Sequence, residues 1–404
     1  MTLSVDNVTN TVASDDNLLL THGAAKNVFL DGCKWPLAFG AAGDVLSTDA
    51  AGVLAWEKRE KLIATDTTFY ISASGNDTTG AGSLASPWAT VSKVLTYLTE
   101  YAIAKGVWVT IQLVDGQYTW STPLVFSHPF GAQIRILGTT TSSLSMTSVQ
   151  SSSGSSGDYS IVINISSSVS GVSVGDYVLI SASSGGTNPQ IIEGCHAVTA
   201  VDTGNNRLTI TVKNAYASAP SGAVAATVVV VKTVVTCSDT AIEIDVGASL
   251  GGLDKIVFVG PGVATTTAYG LKAIKTANAI NCNITSGLGF TGFYYGIYTE
   301  NGGVILAEGV TVSYCYDGIA SALGGFSLAK LSIVTGCTHS AAAAWSSGYV
   351  HVGRSKLYCN NWGAYAAGMA YVWHGGTGAA VFGNTLDYSP TINTQGNEYG
   401  FIDS

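Results

Sequence analysis

Short apolar runs broken by Gly, Asp and Ser turns make up most of this chain, and only one stretch keeps the wider spacing of a helix. Phe69-Tyr70-Ile71-Ser72 reads as a strand, followed by a turn-rich loop from Gly75-Asn76-Asp77 to Gly82. Ser86-Pro87 then offers an N-cap and a first helical residue, and Val91, Val94, Leu95, Leu98 and Ala102 recur at helical spacing. Lys105-Gly106 closes that pattern as a basic last turn and C-cap. The spacing predicts one amphipathic helix, placed to cover the apolar end of the strands that follow. Those strands are Val107 to Val114, with a turn at Asp115-Gly116, and Ile134 to Leu137.

From Tyr295 onward the pattern repeats about every 22 residues. Cys315, Cys337 and Cys359 keep that pace, as do Tyr295-Gly296-Ile297, Asp317-Gly318-Ile319, Ser340-Ala341-Ala342 and Trp362-Gly363-Ala364 to within one residue. A unit this short, rich in Val, Ile, Tyr, Ser, Thr and Gly, has no room for two packed helices. It predicts one coil of short strands, stacked on its neighbours at roughly 4.8 Å as a parallel β-helix. Residues one lap apart then lie above one another, and the three cysteines form a column.

The boundaries that follow are 1–60, 61–138, 139–235 and 236–404. Residues 61–138 hold the cap helix and the first coils. Residues 139–235 break the series with the Ser/Gly-rich stretch Ser151 to Gly157 and then dense strand signals, including Val174 to Ile180, Ala197 to Val201, Arg207 to Val212 and Val228 to Val231. With Gly204-Asn205-Asn206 as a hairpin turn, these predict a small antiparallel barrel or sandwich inserted in the solenoid. Coils resume near Thr240 and run to Tyr399-Gly400-Phe401. Residues 1–60, with pieces such as Leu18-Leu19-Leu20 and Asn27-Val28-Phe29-Leu30, bury too little to stand alone and point to ordering by partner chains.

Composition narrows the function. A hydrophobic share of 47% against 11% charged residues excludes a disordered chain. The net charge of −9, with 17 basic residues in no cluster, argues against DNA or RNA as partner. Seven cysteines without a CxxC pair read as small buried thiols, kept reduced while the chain folds in a cytoplasm. The first ten residues show no secretory signal, and Ala223 to Val235 is too short and too β-branched to enter a membrane.

Two segments carry a family resemblance. Phe69 to Asp77, followed by Pro87-Trp88-Ala89-Thr90-Val91, resembles the opening of right-handed β-helices of the pectate-lyase type. Gly43 to Trp56 looks like a short element near the start of bacteriophage tail fibres. Together they cover about the first 140 residues, and the chain resembles phage tail fibre and tail spike proteins. The resemblance implies a right-handed parallel β-helix and a homotrimer; with the N-terminal capping helix and inserted small β-domain read above, the expected fold is all-β. It implies a virion tail component assembled in the host cytoplasm. Residues 1–60 would hold other tail or baseplate proteins, and the β-helix would meet the host surface polysaccharide. This chain departs from the family in running its coils almost to Ser404, without a large C-terminal domain.

Candidate chemistry is sparse. Glu243 and Asp245 share the outer face of one strand, roughly 7 Å apart and near the spacing of paired glycosidase carboxylates, although a solvated polar face explains them as well. Asp317 and Glu300 lack an acid at the matching position of the next coil. The six histidines make no metal-binding spacing, and no cofactor motif is present. Trp345, Trp362, Tyr365, Tyr371 and Trp373 crowd the last coils, where they stack on sugar rings, fill the interior or pack against sister chains. The leading expectation is a non-enzymatic tail fibre or spike that attaches to host glycan. A polysaccharide depolymerase, hydrolase or lyase, is the alternative, and a purely structural tail connector is a second one.

Overall fold

The computed structural model describes residues 61–140, 143–155, 157–214, 219–275, 278–282, 287–375, 380–382, 384, 386–390 and 401–403. It also describes four short strands before residue 60, at 29–30, 33–34, 44–48 and 54–58. Leu18-Leu19-Leu20 and Tyr399-Gly400 lie outside the described residues. The chain divides into two units, Met1–Lys61 and Leu62–Ser404. In the first, Asp44–Thr48 and Leu54–Lys58 form an antiparallel hairpin that pairs Leu46 with Trp56.

The second unit is a stack of parallel coils with three faces. Face one is an eight-stranded sheet: Leu124–Phe126, Ile242–Ile244, Tyr269–Ile274, Tyr295–Glu300, Asp317–Ala322, Ser340–Trp345, Trp362–Ala367 and Leu386–Pro390. Face two is also eight-stranded, from Gly116–Trp120 and Thr233–Cys237 up to Lys356–Tyr358 and Ala380–Phe382. Face three has a four-stranded sheet that includes Thr67–Ile71 and Val109–Leu113, and a six-stranded one from Asn278–Cys282 to Phe401–Asp403. The all-β, parallel architecture expected from the repeat is present.

The lap length follows from the register. Tyr295 pairs with Asp317, Asp317 with Ser340 and Ser340 with Trp362, which gives laps of 22 or 23 residues. The interior holds Ile297, Ile319, Val312, Val334 and the stacked pair Phe258 and Phe290, with ring centroids 5.5 Å apart. Gly296 and Gly318 are required where successive coils turn into face one. A Cβ at either position would strike the next coil's carbonyl and the Val312 or Val334 side chain. The alternation is not wholly apolar. Thr299, Ser321 and Ser327 point inward and bond to one another at 2.9 Å, so their buried hydroxyls are satisfied.

One column differs from expectation. Cys315 and Cys337 stack in the core, but Thr335 pairs with Tyr358, a step of 23, so Asn360 takes the third place in the column. Asn360 accepts from Cys337 N at 2.9 Å and donates to Val334 O at 3.1 Å, which satisfies the amide inside the stack. Cys359 sits one place earlier, in a left-handed conformation (φ 57°), and packs with the neighbouring barrel's core. Burial pushes the Cys237 and Cys315 thiols up to about 12, which leaves them inert.

The helix also differs. It spans Val91–Leu98 and its N-cap is Thr90, whose hydroxyl accepts from Lys93 N at 3.1 Å. Ser86 and Pro87 instead lead into Trp88, which bridges to Ile71 as an extended residue. Asp77 reaches forward to accept from Ala89 N, Thr90 N and the Thr90 hydroxyl, fixing the cap from outside the helix. The helix ends early because Tyr101–Ile103 forms a strand beside Lys61–Ile63. Val91, Val94 and Leu98 are buried in one cluster with Ile71, Ile111 and Leu113.

Between face three and face two the chain leaves the coils and builds a closed antiparallel barrel of six strands. These are Leu144–Ser155, Gly157–Ile165, Tyr177–Ser184, Gly194–Asp202, Arg207–Asn214 and Ala225–Val231. Exit and return are adjacent, since Lys232 N donates to Thr139 O at 2.9 Å. The barrel core holds Ile161, Ile163, Ile180, Leu208, Ile210 and Val228. It packs on face two, where Ser313 Oγ accepts from Cys195 N at 2.9 Å and the Tyr314 hydroxyl meets His196 Nδ1 at 2.6 Å. Lys356 Nζ bonds both oxygens of the fully buried Glu193 at 2.9 Å.

Candidate functional site

Side chains on the outer side of face one stand in columns one lap apart. One column runs Glu243, Lys272, Tyr298, Ala320, Ala343, Tyr365. A second runs Tyr269, Tyr295, Asp317, Ser340, Trp362, and a third Ile274, Glu300, Ala322, Trp345. The alanines in the middle laps are too short to fill the surface, so larger rings close over them. Tyr298, Ala320, Ala322 and Ala343 form one buried cluster, against which Tyr269, Tyr295, Trp345 and Tyr365 pack half-buried. Trp345 reaches back to Tyr295 and Tyr298, with ring centroids at 5.9 and 6.4 Å. The result is a continuous aromatic surface set on rigid strands.

Polar groups border the rings. Lys272 lies 4.8 Å from the Tyr269 ring centre and 3.8 Å from the Glu243 carboxylate. The Tyr298 hydroxyl donates to Glu300 at 3.0 Å. Burial, reinforced by Glu300 and Glu243, pushes the Tyr269 phenol up, so it stays a hydrogen-bond donor at neutral pH.

A second feature lies along the same face. Asp317, only 1% exposed, bonds to His339 Nδ1 at 2.7 Å and also accepts from the backbone and the hydroxyl of Ser340. His339 stacks on Tyr316, ring centres 4.8 Å apart, and Tyr316 stacks on Tyr294 at 4.4 Å. Tyr365 tilts against the other side of the imidazole at 5.3 Å. Burial lowers the His339 pKa, but the bond to Asp317 and its charge outweigh it and the net shift is upward. With Nδ1 tied to the carboxylate, Nε2 has no partner among the described residues and is the ring's outward group.

The residues singled out from sequence divide between faces. Trp345, Trp362 and Tyr365 belong to face one. Tyr371 and Trp373 belong to face three, where Tyr371 continues a stack from Tyr349 at 5.1 Å and Trp373 lies 4.2 Å from His351. Glu243 is on face one beside Lys272, and Asp245 follows the same strand and accepts from Val246 N at 2.7 Å. The sequence reading passed over Tyr269, Tyr294, Tyr295, Tyr298, Tyr316 and His339. Among the described residues no group of three His, Cys, Asp or Glu is placed to hold a metal, and no helix is long and apolar enough to cross a membrane.

Among solved structures, the tailspike protein gp49 from Pseudomonas phage LKA1 is similar to this chain at 12% identity and a TM-score of 0.22, covering 75% of this chain and 63% of that one. The Gp54 tailspike of Acinetobacter baumannii bacteriophage AP22, solved in complex with A. baumannii capsular saccharide, gives 11% identity and a TM-score of 0.20 over 74% and 56%. The chain thus spans less than two thirds of either structure's length. No family model and no curated protein matches the chain.

Proposed function

We propose that this chain is a bacteriophage tail fibre or spike component that attaches to its host by binding surface polysaccharide along face one, without cleaving it. The observation that carries the reading is the aromatic surface of Tyr269, Tyr295, Tyr298, Trp345 and Tyr365, bordered by Glu243, Lys272 and Glu300. Sugar rings offer an apolar C–H face and a rim of hydroxyls, and ring faces beside fixed polar groups complement both. The fibre-like residues Gly43 to Trp56 support a virion setting, with residues 1–60 as the segment that joins other tail or baseplate proteins. The same resemblance supports a homotrimer in the tail, with the helix Val91–Leu98 closing the first coil.

The test is retention of the purified chain on immobilised capsular polysaccharide and lipopolysaccharide. Retention that Trp345→Ala and Tyr365→Ala weaken about tenfold each supports the reading. Binding indifferent to both substitutions sinks it, and no binding at all favours the structural connector.

A second reading, glycan cleavage, is favoured by the Asp317–His339 pair, a buried carboxylate that aims an imidazole nitrogen outward beside the same rings. Oligosaccharide release that His339→Ala abolishes while binding persists would replace attachment without cleavage.

A further inference from the structure

The barrel and the coils line a crevice of about 820 Å³ to which none of the face-one rings contributes. Its volume falls within the roughly 300–1,000 Å³ of ligand pockets. One wall is barrel, with Asp158, Tyr177, Thr211 and Lys213, and the other is coil, with Tyr314 and Thr338. Both walls are fixed. The bonds of Cys195 N to Ser313 and of His196 to Tyr314 clamp barrel to coil at the crevice, which Cys195 and Tyr314 themselves line. The crevice is therefore preformed and does not depend on a ligand to shape it.

Its polar groups are the informative part. The Tyr177 hydroxyl has no hydrogen-bond partner among the described residues, although its ring is packed against Leu179 and Val257 and burial pushes the phenol up. The hydroxyls of Thr211 and Thr338 are likewise unbonded to any described residue. Asp158 and Lys213 are cross-strand neighbours at the mouth, yet no ion pair joins them. Asp158, Lys213 and Thr338 are exposed at the rim and open to water or a ligand, whereas the Tyr177 hydroxyl is a half-buried group left without a partner among the described residues. Two tyrosine rings, unpaired hydroxyls and one charge of each sign make a lining for a ring-shaped, hydroxyl-rich ligand. Because the two charges offset one another, the lining gives no preference for a net anion or cation.

We infer that the crevice between the barrel and face two is a second carbohydrate site, which takes the end or a side branch of a neutral oligosaccharide. Face one runs along an open sheet and suits the length of a chain, whereas the crevice is closed on two sides and admits only an end. The inference does not rest on the aromatic face: either site stands if the other fails.

The experiment titrates the full chain with cellotetraose, maltotetraose, mannotetraose and chitotetraose as neutral probes and with tetragalacturonate as the acidic one, read by calorimetry and saturation-transfer NMR. At least one neutral tetraose should bind. Thr338→Trp, a substitution at an exposed rim position, should weaken it at least tenfold by filling the opening. Tyr177→Phe, which keeps the ring and removes only the hydroxyl, should weaken it several-fold with the melting temperature unchanged. The inference fails if no neutral probe binds, if only tetragalacturonate does, or if neutral binding ignores both Thr338→Trp and Tyr177→Phe.

Discussion

Faces one and two are outer surfaces of the same coils, built on the same lap, and they have opposite character. On face two the outward positions are Val257, Gly289, Thr311, Ser313 and Thr335, small or β-branched and buried beneath the barrel. A Cβ on Gly289 would come within 3.0 Å of Cys195 Sγ, so the barrel sits as close as the backbone allows. On face one the corresponding outward positions carry Tyr269, Tyr295, Tyr298, Trp345 and Tyr365, which cover only their own alanine floor. The lesson is that the inward residues of a repeat set the stack, while the outward ones are free to build an internal joint on one side and an external surface on the other.

Substitutions that ignore the difference between faces should have the largest effects. Phe290 is fully buried in the interior both faces share, so Phe290→Ala should cost about 3–5 kcal/mol in urea unfolding. A loss below 1 kcal/mol would mean the interior is not packed as described.

Next in size is a pH effect confined to the joint at face two. Burial lowers the His196 pKa to about 4, against an ordinary 6.5. The unfolded chain then takes up the proton first, so stability falls as pH drops from about 6.5 to 4, by up to roughly 3 kcal/mol. His196→Gln should flatten that part of the profile, and denaturation curves at pH 7 and pH 4 measure it.

Smaller again is the effect of Trp345→Ala, about 1 kcal/mol in stability and up to tenfold in glycan affinity, whereas Thr335→Ala on face two should leave affinity unchanged. Equal losses from both would erase the distinction between the faces. The smallest effect belongs to His339, whose folded pKa is raised. Its contribution is fully present below the ordinary histidine value and fades as pH rises through the folded one, the reverse of His196. Asp317→Asn should remove that slope, which thermal melts between pH 5 and pH 9 would detect.

Much of the stack was legible because the lap length is written in the sequence. Tyr295, Asp317, Ser340 and Trp362 mark one column without any structural knowledge. Cys359 was misplaced because the lap from Thr335 to Tyr358 gains one residue, and a cysteine at the expected distance hides the slip. Asn360, one place on, was the hidden signal: its amide accepts from Cys337 N and donates to Val334 O at once. The helix start was misread because Ser86-Pro87 offers the stronger local cap pattern, while the Thr90 cap on Lys93 N is reinforced by Asp77 from 13 residues earlier. His339 was passed over because the lap from Asp317 runs 23 residues to Ser340, which sets His339 beside the carboxylate and not directly over it. The aromatic surface needed the register itself, because Trp345 meets Tyr298 across two laps and only the short alanines between them allow it.

The most direct test is a crystal structure of the chain soaked with an oligosaccharide from a bacterial capsule that retains it. The account predicts sugar density along face one, against the rings of Tyr295, Tyr298, Trp345 and Tyr365 and within hydrogen-bond reach of Glu300 or His339. Density confined to face three, at Tyr371 and Trp373, with face one bare, would contradict it.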